Sequence, residues 1–214
     1  MKLYLTKTPR IISYLFKKYT WRFDNQKKEI YLTFDDGPTP EVTNFVLDEL
    51  QKFEAKATFF CIGKNAVNHP EIFKRILAED HSIGNHTQNH LKGLKNSCKK
   101  YIENVLMAEK NMQALDSSVN KNKLFRPPYG KIKKSQADKL ISLGYQHIMW
   151  DVLSADFDAR ISEAQCLQNV LKNTENGSII VFHDSEKAAQ KIYYALPKVL
   201  AHFSQLDYTF KKIG

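Results

Sequence analysis

The chain predicts an α/β fold, a distorted, incomplete (β/α) barrel of about seven strand–helix units. Three observations carry this prediction. Short runs rich in β-branched and aromatic residues alternate with amphipathic helical patterns along almost the whole sequence, as expected of parallel strands joined by crossover helices. Polar motifs follow most of the apolar runs. They would gather at the carboxyl ends of neighbouring strands, where α/β barrels build their sites. The length, 214 residues, is short for eight full units.

Strands are predicted at residues 29–34, 57–61, 82–84, 124–125, 145–149 and 178–182, with a last one at 207–211. The first helix opens with Thr39 as N-cap, Pro40 at its first position and Glu41 in its first turn. It runs to about Phe53 with Val42, Phe45, Val46 and Leu50 as its buried stripe. Helical spacing predicts further helices over 70–79, 99–115, 133–143, 162–171 and 186–202. No fixed-period repeat, low-complexity tract or Pro/Ser-rich linker divides the chain, so one core is expected.

The composition, 43% hydrophobic and 12% aromatic, suits a packed domain. The net charge of +9 is uneven: residues 1–30 hold eight Lys/Arg against Asp24 and Glu29, leaving +3 for 31–214. Residues 1–28 therefore read as a basic N-terminal flank and 29–214 as the main domain. Ile11, Ile12, Leu15 and Phe16 recur at helical spacing between Arg10 and Lys17–Lys18, which predicts a short amphipathic helix that packs on the barrel or touches lipid. The charge reads as a solvated flank, with an anionic membrane surface or an acidic glycan as the alternative partner. No nucleic-acid motif accompanies it, so nucleic acid is not an expected partner.

The uncharged stretch 11–16 is too short for a secretory h-region or a membrane span, and no small-residue cleavage site follows it. A cytoplasmic location, or one peripheral to the cytoplasmic membrane, is the expectation. Cys61, Cys98 and Cys166 are odd in number and lack CxxC pairing, which argues against a disulfide framework or zinc knuckle. Cys61 reads as a small buried hydrophobe.

Five motifs carry the chemistry: TFDDGP at 33–38, HTQNH at 86–90, RPPYG at 126–130, Asp156 with Phe157, and His183 with Asp184. Successive strand residues point opposite ways. Asp35 and Asp36 can thus do two jobs, one binding a metal and the other facing the water to be activated. His86 and His90 are four apart, which would align both rings along one helical turn. With one carboxylate they make a three-ligand set that leaves a position open for water or substrate.

In RPPYG, two prolines fix the backbone so that the Tyr129 N–H can meet a developing oxyanion, while Arg126 can hold a carboxylate. His183 would sit at a strand end as an acid or base, its pKa raised by Asp156 or Asp184. Trp21, Trp150 and Phe157 read as core or as the floor of a sugar pocket, with core favoured for Trp21 and Trp150. His69, His81, His147 and His202 read as structural or surface groups. The ensemble describes a metal-dependent hydrolase.

In this order the motifs resemble those of the polysaccharide deacetylase family, also called carbohydrate esterase family 4 or the NodB homology domain, over roughly residues 29–214. The resemblance implies a deformed (β/α) barrel that removes acetyl groups from a sugar. It implies Asp36, His86 and His90 as ligands of one divalent metal ion, usually Zn2+, and Asp35 as general base. Arg126 would orient Asp35, the Tyr129 backbone would help bind the oxyanion, His183 would be the general acid, and Asp156 would tune it. Three departures, in two of the motifs, fall in the groove lining. Leu153 and Phe157 stand where the family usually has Asp and Trp, and Val181 stands where it commonly has Leu.

The expected substrate is an N-acetylglucosamine-containing glycan, peptidoglycan or a chitin-like oligosaccharide. A deacylase or deformylase of a lipid-linked amino sugar at the cytoplasmic membrane is one alternative. A non-catalytic, metal-holding carbohydrate-binding module is another, against which the presence of both Asp35 and His183 argues. The oligomeric state and the acyl group are not legible in the sequence.

Overall fold

A computed structural model describes residues 4–24, 26–119 and 122–214. Among these, the strands are β1 (Tyr19–Thr20), β2 (Glu29–Asp35), β3 (Ala57–Cys61), β4 (Ser82–Asn85), β5 (Leu124–Phe125), β6 (Gln146–Ile148), β7 (Val152–Leu153), β8 (Ile179–His183) and β9 (Thr209–Phe210). The α-helices are α1 (Arg10–Leu15), α2 (Pro40–Lys52), α3 (Gly63–Asn68), α4 (Pro70–Ala78), α5 (Cys98–Leu115), α6 (Lys134–Ser142), α7 (Glu163–Leu171) and α8 (Ala189–Gln205).

The strands pair in parallel in the order β1-β6-β5-β4-β3-β2-β8-β7, with β9 added to the start of β2. This is the expected incomplete barrel, a parallel sheet curled into part of a cylinder. Its register decides where the site lies. Asp35 is opposite both Phe60 and His183, Cys61 is opposite Asn85, and Asn85 is opposite Phe125. The motifs that follow these strands therefore share one rim.

The central strands are buried on both faces, as parallel sheets covered by helices must be. Phe34 stacks with Phe59 and Phe182 at centroid distances of 5.0 and 6.2 Å. Val46 and Leu50 of α2 and Ile192, Leu196 and Val199 of α8 join the same cluster. In α2, Thr43 and Leu47 are buried and Phe45 is only partly so, because Phe45 lies edge-on against Tyr193 of α8 at 4.6 Å.

Three elements were not predicted. β1 and β7 are two residues each, too short to show a period. α3 begins at a glycine and contains two asparagines, poor helix formers. Packing sustains it: a Cβ on Gly63 would come within 2.8 Å of the Ala108 Cβ, so α3 and α5 approach almost backbone to backbone.

The basic flank at 1–28 is tied to the sheet. Lys7 bridges Val152 and Arg22 bridges Ser178, both antiparallel. The Thr8 N–H donates to the Asp151 carbonyl (2.8 Å), Met149 N–H to Thr20 (2.7 Å) and Phe23 N–H to Gly177 (2.8 Å). This stretch thus links the β6 side of the open barrel to its β7–β8 side. The predicted amphipathic helix forms as α1, but none of its residues is buried.

Candidate active site

The site starts where β2 ends. Asp35, its last residue, is buried, and its Oδ1 accepts from Arg126 Nη1 at 2.7 Å. At Asp36 the backbone swings to φ 82° and leads into a cis Gly37–Pro38 bond, so neighbouring carboxylates leave the strand in different directions. The Gly37 N–H donates to Asp184 Oδ1 at 3.0 Å, and a Cβ on Gly37 would sit 2.0 Å from Asp184 Oδ2. Only glycine fits there.

Asp184 organises this loop rather than His183, as the sequence had allowed. Its Oδ2 accepts from the Thr43 hydroxyl (2.6 Å), its carbonyl from the Thr39 hydroxyl (2.8 Å), and its N–H donates to the Asp35 carbonyl (3.1 Å). The Thr39 hydroxyl is thereby engaged away from α2, which it precedes without a side-chain cap. Burial pushes the Asp184 carboxyl up to about 8.

The HTQNH segment leaves β4 as a loop and not as the helical turn its spacing predicts, with Thr87 at φ 68° and His90 at φ 52°. Competing hydrogen bonds set this shape. Thr87 N–H donates to Asn85 Oδ1 (2.8 Å), Leu91 N–H to Thr87 Oγ1 (2.9 Å) and Gln88 N–H to Asn104 Oδ1 (3.0 Å). The first N–H groups of α3, those of Gly63 and Lys64, reach the Thr87 and Gln88 carbonyls at 3.0 Å each. Asn65 Nδ2, one residue on, donates to the Asp36 carbonyl at 2.7 Å. The helix absent from the sequence reading holds both loops together.

Within this frame His86 Nε2 and His90 Nε2 lie 3.5 and 3.2 Å from Asp36 Oδ1. His86 Nδ1 is 2.8 Å from the Arg126 carbonyl. A carbonyl only accepts, so Nδ1 carries a proton, and Nε2 is the nitrogen turned toward Asp36. Burial and the neighbouring His86 lower His90 to about 4, which leaves its imidazole neutral. Burial opposes ionisation of Asp36, but the nearness of His86 and the charge of His183 outweigh it and hold the carboxylate below its usual range.

Asp36 Oδ1 is buried without a hydrogen-bond partner. A buried carboxylate oxygen without a hydrogen bond, facing two imidazole nitrogens with all three ligand atoms within 4.8 Å of one another, makes a set that could hold a divalent cation. Two donors about 2.1 Å from one ion in tetrahedral arrangement lie about 3.4 Å apart. The residues present fit such an ion.

Opposite this triad stand two matched charge pairs. Arg126, fully buried after β5, donates from Nε to the Ile148 carbonyl (3.0 Å), from Nη2 to Met149 (2.8 Å) and from Nη1 to both Asp35 and Thr33 Oγ1 (2.7 Å each). Thr33 passes its own proton to the Ile180 carbonyl (2.7 Å). The guanidinium also lies over the Phe60 ring, 4.1 Å from its centroid. It has no freedom to leave Asp35.

His183, the last residue of β8, sets Nδ1 at 2.7 Å from Asp156 Oδ1 and its N–H at 2.7 Å from Oδ2. Burial favours the neutral ring, but the Asp156 charge and hydrogen bond outweigh it and raise His183 to about 10. It is therefore protonated at neutral pH.

Between the triad and these pairs lies a cavity of about 410 Å³. Asp35, Asp36, His86, His90, Tyr129, Phe157, Val181 and His183 all line it, as the sequence reading requires. Arg126 and Asp156 stand behind, in contact with Asp35 and His183. Tyr129, at φ 61° in the turn after the prolines, lays its half-exposed ring against His90 at 4.6 Å.

Sequence reasoning misses Tyr4, and it favours the core for Trp150, which it also allows as the floor of a sugar pocket. Trp150 lines the cavity and packs over Gly130, where a Cβ would come within 2.5 Å of the indole. Its place just after β6, on the rim where the other motifs lie, was the available signal. Tyr4 reaches the cavity from the basic flank, its hydroxyl bonded to Asp158 Oδ2 at 2.7 Å and its ring edge-on to Phe157 at 5.6 Å. No sequence pattern marks it.

The polysaccharide deacetylase family pattern matches residues 23–148. The chain belongs to this family. It is 36% identical over 196 residues to a peptidoglycan-N-acetylglucosamine deacetylase of Bacillus cereus, a match that covers 91% of each chain. It is 33% identical over 175 residues to chitin deacetylase 2 of Saccharomyces cerevisiae, covering 78% of this chain and 54% of that one. Among solved structures it resembles the Bc1960 peptidoglycan N-acetylglucosamine deacetylase in complex with an N-hydroxybenzamide, with a TM-score of 0.87, 32% identity and 96% and 95% coverage. The polysaccharide deacetylases thus supply the expected barrel and a hydrolytic site at its rim.

Proposed function

We propose that the protein is a metal-dependent N-deacetylase of N-acetylglucosamine-containing glycans, peptidoglycan first among them, releasing acetate. The observation that carries this is the Asp36–His86–His90 donor set, with its orphaned oxygen, beside an Arg-held carboxylate and a protonated histidine. The names of the Bacillus cereus and Saccharomyces cerevisiae relatives support the substrate class.

Asp36, His86 and His90 would hold one divalent ion, with Zn2+ the proposed native metal given two nitrogen donors and one oxygen. When bound, it supplies Lewis acidity, polarising an acyl oxygen and acidifying a water molecule. Asp35, fixed by Arg126, accepts the proton of the attacking water. The Tyr129 N–H donates to the developing oxyanion. His183 then protonates the leaving amine from Nε2, since Nδ1 is committed to Asp156, and an amino sugar and acetate result.

Arg126 and Asp156 act as positioning residues, through Asp35 and His183. Leu153, Trp150, Phe157 and Val181 form the apolar wall against which a sugar ring would rest. Leu153, Phe157 and Val181 are also where the chain departs from the family's usual motif, so this wall is where its glycan preference would be set.

Acetate release from N-acetylglucosamine oligomers and from peptidoglycan by the zinc-loaded protein tests the reading, with chelator-treated protein as control. Chelator-sensitive release is the expected result. No release from either substrate by protein carrying one equivalent of zinc would overturn it.

A further inference from the structure

Five of the thirteen large hydrophobic side chains exposed among the described residues fall within residues 5–16: Leu5, Ile11, Tyr14, Leu15 and Phe16. Each is more than half exposed. Ile11, Tyr14 and Leu15 are three and four residues apart on α1 and share one face, and Phe16 follows at its end, stacked on Tyr19 at 6.1 Å. Their burial against the barrel, one of the two fates the sequence allowed, does not occur. A concentrated apolar patch of this kind on an otherwise well-packed domain marks a contact surface.

The exposed charge on α1 and just after it is basic (Arg10, Lys17 and Lys18), while Lys7 and Arg22 are already paired with Asp151 and Glu175. Residues 1–23 contain six Lys/Arg and no Asp or Glu. Lys17 lies over the Tyr14 ring at 4.2 Å and has no ion pair among the described residues. Arg10 and Lys18 meet only Glu175 and Asp138, at 3.4 and 3.6 Å, and remain mostly exposed. Asp138 is in turn shared with Lys134.

We infer that this patch docks the protein on an anionic lipid bilayer. Apolar and aromatic side chains would enter the headgroup boundary while the Lys and Arg heads meet lipid phosphates. A polyanionic glycan would satisfy the charges and leave the apolar side chains in water. A second copy docked through the same patch would bring two basic surfaces together, a like-charge contact.

The patch is also rigidly mounted. Thr8 donates through its hydroxyl to the Trp150 carbonyl (2.8 Å), and Tyr19–Thr20 is strand β1 beside β6. Trp150 also lines the cavity, so the segment that carries the patch is bonded to a residue of the pocket.

The test is cosedimentation of the full chain with vesicles of equal parts phosphatidylcholine and phosphatidylglycerol, against phosphatidylcholine alone, at low and high salt. The variants are Ile11→Ser with Leu15→Ser, and Lys17→Glu with Lys18→Glu, with circular dichroism and thermal melting to establish that each folds. Because binding is read without turnover, the outcome stands apart from the deacetylase assignment. The expected result is salt-sensitive binding to the anionic vesicles that falls about ten-fold or more in each variant. No binding, or binding that the folded variants retain, would overturn the inference. So would concentration-dependent dimerisation lost in the serine variant without vesicle binding, which would assign the patch to a second copy.

Discussion

Asp35 and Asp36 are consecutive, yet one is matched inside the protein and the other is not. Asp35 meets a buried Arg126 whose Nε and both terminal nitrogens are engaged, and across the pocket Asp156 meets His183 through both of its oxygens. Asp36 keeps a buried oxygen without a hydrogen bond, facing two imidazoles. The difference teaches that the Asp35 and Asp156 pairs are satisfied within the protein, whereas the triad has room for a further ligand, which in the proposed function is a cation. Uncompensated burial of a carboxylate oxygen costs about 1–3 kcal/mol or more, so the triad keeps this arrangement for a ligand.

The largest expected effect comes from breaking the triad. Asp36→Ala or His86→Ala should abolish zinc binding in calorimetry and lower acetate release about 10³-fold or more, the order expected when Lewis acidity and the activated water are lost together. Breaking the other side should separate the two functions. Asp35→Asn is expected to lower kcat/KM about 10²- to 10⁴-fold while zinc still binds. Arg126→Met should destabilise the fold by about 3–5 kcal/mol, read as a loss in thermal or denaturant unfolding, because it leaves Asp35 buried and unpaired.

A finer distinction comes from Asp156→Asn. The acid form of His183 is the active one, and Asp156 raises its pKa. Removing that charge lowers the pKa, so the alkaline limb of kcat/KM in the metal-loaded protein should move to lower pH. An unmoved limb would mean that His183 is not the group titrating there.

The smallest effect lies outside the pocket. His147 is buried between Tyr19 and Phe125, at 5.1 and 5.3 Å, with neither ring nitrogen hydrogen-bonded, and burial lowers it to about 4 against an opposing pull from Asp138. The folded state therefore favours the neutral ring. Its contribution is fully present above the unfolded pKa near 6.5, and it is lost as pH falls from there to about 4. The loss should reach at most about 3 kcal/mol, and His147→Phe should flatten that part of the stability profile.

The contrast also explains what the sequence disclosed. β2, β3 and β8 and the longer helices carry strong apolar patterns, and the site residues lie at or just after the ends of β2, β4, β5 and β8. What escaped was set by tertiary contacts. α3 forms because Gly63 and Ala66 pack closely while its first N–H groups bond the HTQNH loop, and nothing local announces that. The His86–His90 spacing suggested a helical turn, but Asn85 and Asn104 side chains impose a loop that brings the same two rings together.

The residues alone leave Asp156 and Asp184 both open as the partner of His183, and the family resemblance points to Asp156; the side chain of Asp184, one residue on from His183, turns instead to Gly37 and Thr43. The basic flank was read as separate from charge alone, while its backbone bonds to both sides of the open barrel and its Tyr4 at the cavity depend on chain geometry that no local pattern encodes.

The most direct test of the account is a calorimetric zinc titration of the wild type, Asp36→Ala and Asp35→Asn, with acetate release measured on the same preparations. The account predicts one equivalent of zinc in the wild type and Asp35→Asn, none in Asp36→Ala, and release of acetate by the wild type alone. Loss of zinc from folded Asp35→Asn, or wild-type release by Asp36→Ala, would contradict the division of labour between the two carboxylates.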